Sequence, residues 1–128
     1  MHPDLETVRD YFLALSAGDF DAAFERVSED VVWHIDATHP LAGDVRGKPA
    51  LRRRLAEFGE RSGGTVRLDL KDVMGNGPFV ALTIHFSAQR EGRSMSMDGV
   101  DLFRMEGGKV AEIWLFSADQ DEEDRFWS

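Results

Sequence analysis

The chain contains no cysteine, a single tyrosine and no apolar run long enough to cross a bilayer. The missing cysteines exclude disulfides and thiolate metal sites, and they agree with a cytoplasmic location. The first residues form neither a basic nor an apolar region, so we expect no signal peptide. Basic residues are also scarce, because 15 Lys and Arg stand against 24 Asp and Glu, a net charge of −9. Such an acidic surface repels phosphate backbones and anionic lipids, so we expect neither nucleic acid nor a membrane as partner.

The 128 residues suit one domain, spanning 1–128, with one core. Apolar residues at helical spacing predict a first helix from Leu5 that ends at Gly18. Asp19 is a suitable cap for a short second helix whose inner face runs as far as Val27. Pro49 fits the first turn of a third helix.

Strand patterns account for most of the remaining sequence. A β-branched and aromatic run predicts a strand at Val31–Ile35, followed by a loop from Asp36 to Arg46. Glycine-rich turns then separate four strands with alternating polarity, beginning at Val66, Phe79, Ser94 and Lys109. This order predicts an α+β fold in which a curved antiparallel sheet wraps around helices and encloses an apolar pocket.

Several local phrases resemble the nuclear transport factor two-like superfamily, and within it the SnoaL-like and ketosteroid isomerase branches. The phrases are Val8–Asp19, Asp30–His34, Pro40–Gly47, Gly99–Met105 with Gly108–Val110, and a tail with Asp119, Asp124, Phe126 and Trp127. They cover nearly the whole chain in the right order, and the resemblance implies a cystatin-like cone. It specifies function less closely, because the superfamily includes isomerases, cyclases, hydrolases, dehydratases and proteins without any chemistry.

The resemblance places Tyr11 and Asp101 where ketosteroid isomerases have two hydrogen-bond donors, a phenol and a carboxylic acid kept protonated by apolar surroundings. Strand alternation puts Asp101 on the same face as Met97 and Phe103, so desolvation should raise its pKa. The alternative is a structural aspartate that is hydrogen-bonded to Tyr11 or to the backbone.

Three residues are candidates for moving the proton. Ile35 stands where the ketosteroid isomerase branch has its aspartate base, and Asp36, one residue on, faces the pocket only if the strand carries a bulge; otherwise it caps the loop. Histidine ordinarily has a pKa near neutrality, so His34 is another candidate. Because consecutive strand residues point to opposite faces, however, we expect His34 on the outer face if Trp33 faces the pocket. Asp119 matches the late aspartate of SnoaL-like cyclases, with a helix N-cap as the alternative.

Parity and the resemblance also predict which residues line the pocket. They are Trp33, Ile35, Phe58, Leu82, Ile84, Phe86, Met97, Phe103, Ile113 and Leu115. The histidine spacing has no metal-site pattern, so we predict no metal and no cofactor. Trp114 and Phe116 have the opposite parity, and large aromatics on an outer sheet face need cover, which predicts a homodimer.

Together these residues predict a ketosteroid isomerase-like or SnoaL-like enzyme that moves a proton, in an isomerisation or cyclisation, on a small apolar carbonyl compound. Tyr11 and Asp101 would hold the enolate oxygen. Gly99 stands where the epoxide hydrolase branch has an arginine, which argues against that activity. Ile35 at the base position favours the alternative of a non-catalytic small-molecule binding protein with the same pocket. A third hypothesis is a dimeric interaction module with a vestigial pocket.

Overall fold

The computed structural model describes residues 2–128 and shows helices packed on one six-stranded sheet. In chain order the elements are α1 (Pro3–Ser16), α2 (Phe20–Phe24), β1 (Val27–Ile35), β2 (Gly43–Arg46), α3 (Lys48–Arg61), β3 (Arg67–Asn76), β4 (Phe79–Arg90), β5 (Arg93–Glu106), β6 (Lys109–Ser117) and α4 (Gln120–Trp127). This is the α+β class that the sequence predicts. No helix in the described residues is both long and apolar enough to cross a membrane.

The strands lie in the order β2-β1-β6-β5-β4-β3. Consecutive strands from β3 to β6 pair as hairpins, whereas β1 runs parallel to β6. The prediction of a purely antiparallel sheet is therefore wrong at this pair. A parallel neighbour needs a long crossover, and the chain between β1 and β6 supplies one. Register shifts within the pairs β1/β6, β3/β4 and β5/β6 mark the irregularities at which such a sheet bends.

The cap of α2 lies where the sequence indicates, but α1 begins at Pro3 and not at Leu5, and two later boundaries also differ from prediction. The Asp19 carboxylate accepts a hydrogen bond from Ala22 N at 3.1 Å and caps α2, as expected. Val27 belongs to β1 and not to α2, since it pairs with Val110 of β6. The segment predicted as one loop contains β2, which is a strand only because it pairs with the edge of β1.

The helices pack against one face of the sheet. From α1, Val8, Tyr11 and Phe12 are buried, and they join the inward side chains of β1 and of β4 to β6 in the main core. A second cluster forms at one end of the cone, where Phe126 and Trp127 of α4 are each 3% exposed. The cone therefore has α1 on its inner side and α4 across one end.

Candidate functional site

Asp101 lies in the middle of β5 with its side chain toward the helices. Its neighbours across the two ladders are Leu82 of β4 and Leu115 of β6. Leu82 is fully buried, whereas Asp101 and Leu115 keep some accessible surface. Burial, and after it the negative charge of Glu123, raises the pKa of Asp101 to about 7. The carboxyl therefore changes protonation state close to neutral pH, where an ordinary aspartate is fully ionised.

Tyr11 approaches the same part of the sheet from α1. It is 4% exposed, and its ring packs edge-to-face on Phe103 with centroids 5.7 Å apart. Phe103 follows Asp101 by two positions on the same face of β5. Burial raises the pKa of Tyr11 and the charge of Asp101 raises it further, so the phenol keeps its proton and acts as a donor.

Neither the Tyr11 hydroxyl nor the Asp101 carboxyl has a hydrogen-bond partner within residues 2–128. The side-chain polar atoms there that are both sealed from solvent and unpartnered are Arg54 Nε, Arg90 Nε and Trp127 Nε1. The Tyr11 hydroxyl and the Asp101 carboxyl oxygens also lack partners but are not fully buried, so each keeps some solvent-accessible surface. The alternative of a structural aspartate bonded to Tyr11 or to the backbone finds no support in this geometry. Instead, the polar groups of Tyr11 and Asp101 are unpaired and keep some accessible surface.

Glu123 is the ionisable residue of this site that the sequence analysis missed. It lies on α4, and its Oε1 accepts hydrogen bonds from Ser117 Oγ at 2.9 Å and Gln120 Nε2 at 3.0 Å. Burial raises the pKa of Glu123, and these two hydrogen bonds offset part of that rise. A signal was present in the sequence: the Asp119 cap fixes the first turn of α4, and Glu123 follows the cap by one helical turn.

The two carboxyl groups differ in what surrounds them. Glu123 receives two hydrogen bonds that favour its ionised form, whereas Asp101 receives none from residues 2–128. The charge of Glu123 raises the pKa of Asp101, so the two carboxyl groups do not ionise independently. Near neutral pH the site thus combines two interacting carboxyl groups, of which Glu123 accepts the hydrogen bonds that favour the ionised form, and one neutral phenol.

The aspartates proposed for moving the proton lie apart from Tyr11 and Asp101. Asp36 comes directly after the end of β1, and its side chain is exposed. No bulge turns it inward, since Val31, Trp33 and Ile35 are the buried residues of this strand end. Asp119 is exposed, and its Oδ1 accepts the backbone N–H of Glu122 at 3.0 Å, so it caps α4. Asp119 is therefore the helix N-cap that the sequence analysis gave as the alternative to an acid/base role.

His34 lies on the outer face of β1, as its parity predicts. Its Nδ1 is 2.8 Å from Asp44 Oδ1, its Nε2 is 2.5 Å from Glu112 Oε2, and its ring stacks on Trp114. Burial alone would lower the pKa of His34, but the hydrogen bonds to Glu112 and Asp44 raise it above its usual value. Because two carboxylates accept from the ring, both nitrogens carry protons in this arrangement. His34 stabilises the outer face and is on the opposite side of the sheet from Asp101.

The remaining histidines of interest separate into an outer and an inner one. His85 faces outward and contacts Asp98 and Ser96, each at 2.8 Å. His39 is 5% exposed at the end of the cone, where Nδ1 accepts the backbone N–H of Leu41 at 3.1 Å. Burial lowers the pKa of His39. His39 is therefore a neutral ring near neutral pH, packed edge-on to Phe58.

The predicted lining residues divide into core residues and residues with accessible surface. Four of them are 0–4% exposed and fill the core: Leu82, Ile84, Phe103 and Ile113. Trp33, Ile35 and Met97 are 6–7% exposed, whereas Phe58, Phe86 and Leu115 remain partly accessible. An open cleft of about 580 Å³ lies elsewhere, between the start of β5 and α4, and contains none of the predicted lining residues. Among the predicted lining residues, Phe58, Phe86 and Leu115 are therefore the ones that keep accessible surface, and of these Leu115 is the direct neighbour of Asp101.

Comparison with known families assigns the chain. A family model described as the SnoaL-like domain matches residues 8–113. The chain belongs to the SnoaL-like family. This confirms the resemblance to the nuclear transport factor two-like superfamily that the sequence phrases indicate.

Solved structures confirm the cystatin-like fold of this SnoaL-like chain. A protein of unknown function with a cystatin-like fold from Xanthomonas campestris is 37% identical, with a TM-score of 0.93 and 98% of each chain covered. A protein from Mesorhizobium loti named as a SnoaL-like polyketide cyclase and, in brackets, as a carbohydrate phosphatase is 25% identical, with a TM-score of 0.70, covering 87% of this chain and 96% of its own. An uncharacterized protein of Mycobacterium tuberculosis is 27% identical over 98% of this chain and 96% of its own length.

The inner groups of this SnoaL-like protein suit proton chemistry. Within the described residues no cluster of three or more His, Asp or Glu side chains is arranged to hold a metal ion. Tyr11 and protonated Asp101 are hydrogen-bond donors, and an ionised Glu123 is a proton acceptor. Donor groups of this kind stabilise an oxyanion when they are fixed in place before the charge develops.

Proposed function

We propose that this SnoaL-like protein catalyses proton transfer, in an isomerisation or cyclisation, next to the carbonyl of a small apolar compound. In this mechanism Tyr11 and protonated Asp101 donate hydrogen bonds to the carbonyl oxygen as it becomes an enolate. The observation that carries the proposal is the pair of unpartnered, accessible donors on facing elements, in a wall that is otherwise apolar. A buried donor without a partner lowers stability, and such groups recur where a ligand supplies the missing bond.

The apolar surroundings support the substrate class. Leu115 beside Asp101, and Phe58 and Phe86 elsewhere on the inner face, keep accessible apolar surface, so the body of the substrate needs no charge. The similarity to a protein named as a polyketide cyclase supports a carbonyl substrate, since cyclisation of a polyketide passes through an enolate. Each well-placed donor to the enolate oxygen can contribute about 3 kcal/mol to transition-state stabilisation.

Binding of 2-naphthol tests this proposal, because its ionised oxygen imitates an enolate and its absorption spectrum separates the neutral from the ionised form. We expect Tyr11→Phe and Asp101→Leu each to weaken binding at least tenfold, since each removes a donor of about 1.4 kcal/mol or more. Asp98→Leu is the matched control, because Asp98 lies on the same strand with an exposed side chain on the opposite face. Equal affinities of the wild type, Tyr11→Phe and Asp101→Leu would contradict the proposal.

The alternative function, binding without turnover, predicts the same naphthol result but no acceleration of proton exchange in any ketone. Absence of a metal and of a cofactor, and a cytoplasmic location, remain predictions. Proton transfer of this kind needs only protein donors and a base, which agrees with the first of them.

We further propose that the protein is a homodimer that covers the outer sheet face. On that face Met74, Phe79 and Phe116 are 50%, 41% and 54% exposed. Phe79 and Trp114 lie with ring centroids 6.4 Å apart and continue the apolar surface across the sheet. A second copy would remove this surface from water.

A further inference from the structure

Glu123 is held by two elements at the point where β6 passes into α4. Asp119 caps the helix through the Glu122 N–H at 3.0 Å, and Glu123 N donates to Asp119 O at 3.1 Å in the first helical turn. Ser117, the last residue of β6, donates to Glu123 Oε1 at 2.9 Å. The carboxylate is therefore fixed both to its own helix and to the sheet.

The far end of α4 is anchored independently of Glu123. Trp127 packs edge-on to Phe58 with centroids 4.9 Å apart, and Arg90 Nη1 donates to Phe126 O at 2.7 Å. Thr38 Oγ1 donates to Asp124 Oδ2 at 2.9 Å and ties the helix to the loop after β1. Substitution of Glu123 by an uncharged residue of the same shape should thus leave α4 in place.

The two oxygens of the Glu123 carboxylate differ. Oε1 accepts from both Ser117 and Gln120, whereas Oε2 makes no hydrogen bond within residues 2–128. Because Oε2 has no partner and is not among the fully buried polar atoms of residues 2–128, it keeps some solvent-accessible surface. A carboxylate with one oxygen fixed and the other open is the arrangement required of a group that receives a proton from a bound molecule.

Glu123 also lies next to Asp101. Ser117 pairs with Gly99, and Leu115 pairs with Asp101, so the oxygen that holds Glu123 is one diagonal step from Asp101 on the same face. The charge of Glu123 raises the pKa of Asp101, which shows that the two carboxyl groups interact.

We infer that Glu123, through its open Oε2, is the base that moves the proton in the reaction proposed above. The substrate would be a ketone with an acidic C–H bond next to the carbonyl. Its α C–H bond breaks and the proton passes to Glu123 Oε2. The C–H electron pair forms the enolate C=C bond, and the carbonyl π pair moves onto the oxygen, which becomes the enolate oxygen. The enolate oxygen accepts hydrogen bonds from Tyr11 and protonated Asp101. Glu123 Oε2 then returns a proton to the enolate, and the C=O bond re-forms. Return to a different carbon of a conjugated enolate completes the isomerisation, whereas exchange of the Glu123 proton with solvent before its return labels the ketone; neither path involves net oxidation or reduction.

The electrostatics of the site agree with this role. Burial raises the pKa of Glu123, which makes its carboxylate a stronger base than an exposed glutamate. The charged group that acts on it is Asp124 of α4, which opposes a second negative charge nearby, whereas Asp101 of β5 is protonated in this mechanism. Protonation of Glu123 during the reaction relieves this repulsion while the enolate forms.

The inference rests on the proposed function and is tested by hydrogen–deuterium exchange, followed by NMR, of 2-tetralone, 1-indanone and cyclohex-2-enone in deuterated buffer near neutral pH. Glu123→Gln keeps the acceptor atom for Ser117 and Gln120 but cannot take the proton. We expect it to reduce the exchange rate at least about 100-fold, the usual effect of a general base. Asp121→Asn is the matched control, since it removes one exposed charge from the same helical turn and should change the rate less than about threefold.

Naphthol binding separates a failure of this inference from a failure of the proposed function. Glu123→Gln should bind 2-naphthol at least as tightly as the wild type, because the donors remain and a repelling charge is gone. If Glu123→Gln keeps the wild-type exchange rate while Tyr11→Phe loses it, Glu123 is not the base although the proposed function holds. If the wild type accelerates exchange in none of the three ketones, the assignment of Glu123 is overturned, whatever the result with naphthol.

Discussion

The charge of Glu123, on α4, raises the pKa of Asp101, on β5, and burial of Asp101 raises it still more. The two carboxyl groups therefore divide their roles near neutral pH. Glu123, whose Oε1 accepts two hydrogen bonds, is the better placed of the two to carry the negative charge, and Asp101, with none from residues 2–128, is the better placed to keep a proton. A carboxyl group in this environment lowers stability, and proteins retain such groups at functional sites.

The stability cost of Asp101 should depend on pH. Its folded-state pKa of about 7 lies above the usual 3.8, so the folded protein binds this proton more tightly than the unfolded chain does. The contribution of Asp101 to stability therefore falls as the pH rises from about 4 through 7. We expect the stability advantage of Asp101→Asn over the wild type to grow by on the order of 2 kcal/mol between pH 5 and pH 8. Urea unfolding at both pH values measures it, and an advantage that does not change with pH would contradict the assigned pKa.

Gly99 should tolerate no side chain. A Cβ atom there would come within 2.6 Å of Phe116 O and 2.9 Å of Phe86 Cε1, so Gly99→Ala must displace the Phe86 ring or the strand. We expect a loss of about 1–3 kcal/mol in unfolding free energy, as for other overpacked sites. Gly59→Ala is the control, because the Cβ at this helical position meets no atom within 4 Å and should add up to about 1 kcal/mol. A neutral Gly99→Ala in urea unfolding would show that Phe86 does not cover Gly99.

The outer face should control oligomeric state. Phe116→Glu places a charge in the exposed apolar surface, and burying that charge in an interface would cost several kcal/mol. We expect sedimentation velocity to show a dimer for the wild type and a monomer for Phe116→Glu. Leu13→Glu is the control, since Leu13 is 46% exposed on α1, away from this face, and should remain dimeric. A monomeric wild type at micromolar concentration would refute the dimer proposal.

Strand alternation predicted the side of the sheet for the key residues correctly. Asp101 faces inward and His34, His85 and Phe116 face outward, because the period of two leaves only two choices once a few core residues are recognised. Helix ends were also readable at Asp19 and Asp119, since a capping side chain acts on the next few residues.

The sequence was less informative where tertiary contacts decide. β2 has only Val45 as a strand-favouring side chain, and it is extended because it pairs with β1. The order of the strands along the chain also does not reveal that β1 pairs in parallel with β6. Glu123 was missed because the alternation of inward and outward side chains applies only as far as the end of β6. The direction of the Glu123 side chain depends instead on how Phe126 and Trp127 anchor α4. The ligand-facing part of the inner wall also needed the structure, since parity alone does not separate a filled core from an accessible surface.

The most direct test of the central claim, that Tyr11 and Asp101 together receive an enolate oxygen, is a crystal structure with 2-naphthol bound near pH 6. The account predicts the naphthol oxygen within hydrogen-bond distance, about 2.6–3.0 Å, of both the Tyr11 hydroxyl and the Asp101 carboxyl. Naphthol bound only in the open cleft between the start of β5 and α4, or at any site without contact to Tyr11 and Asp101, would contradict it.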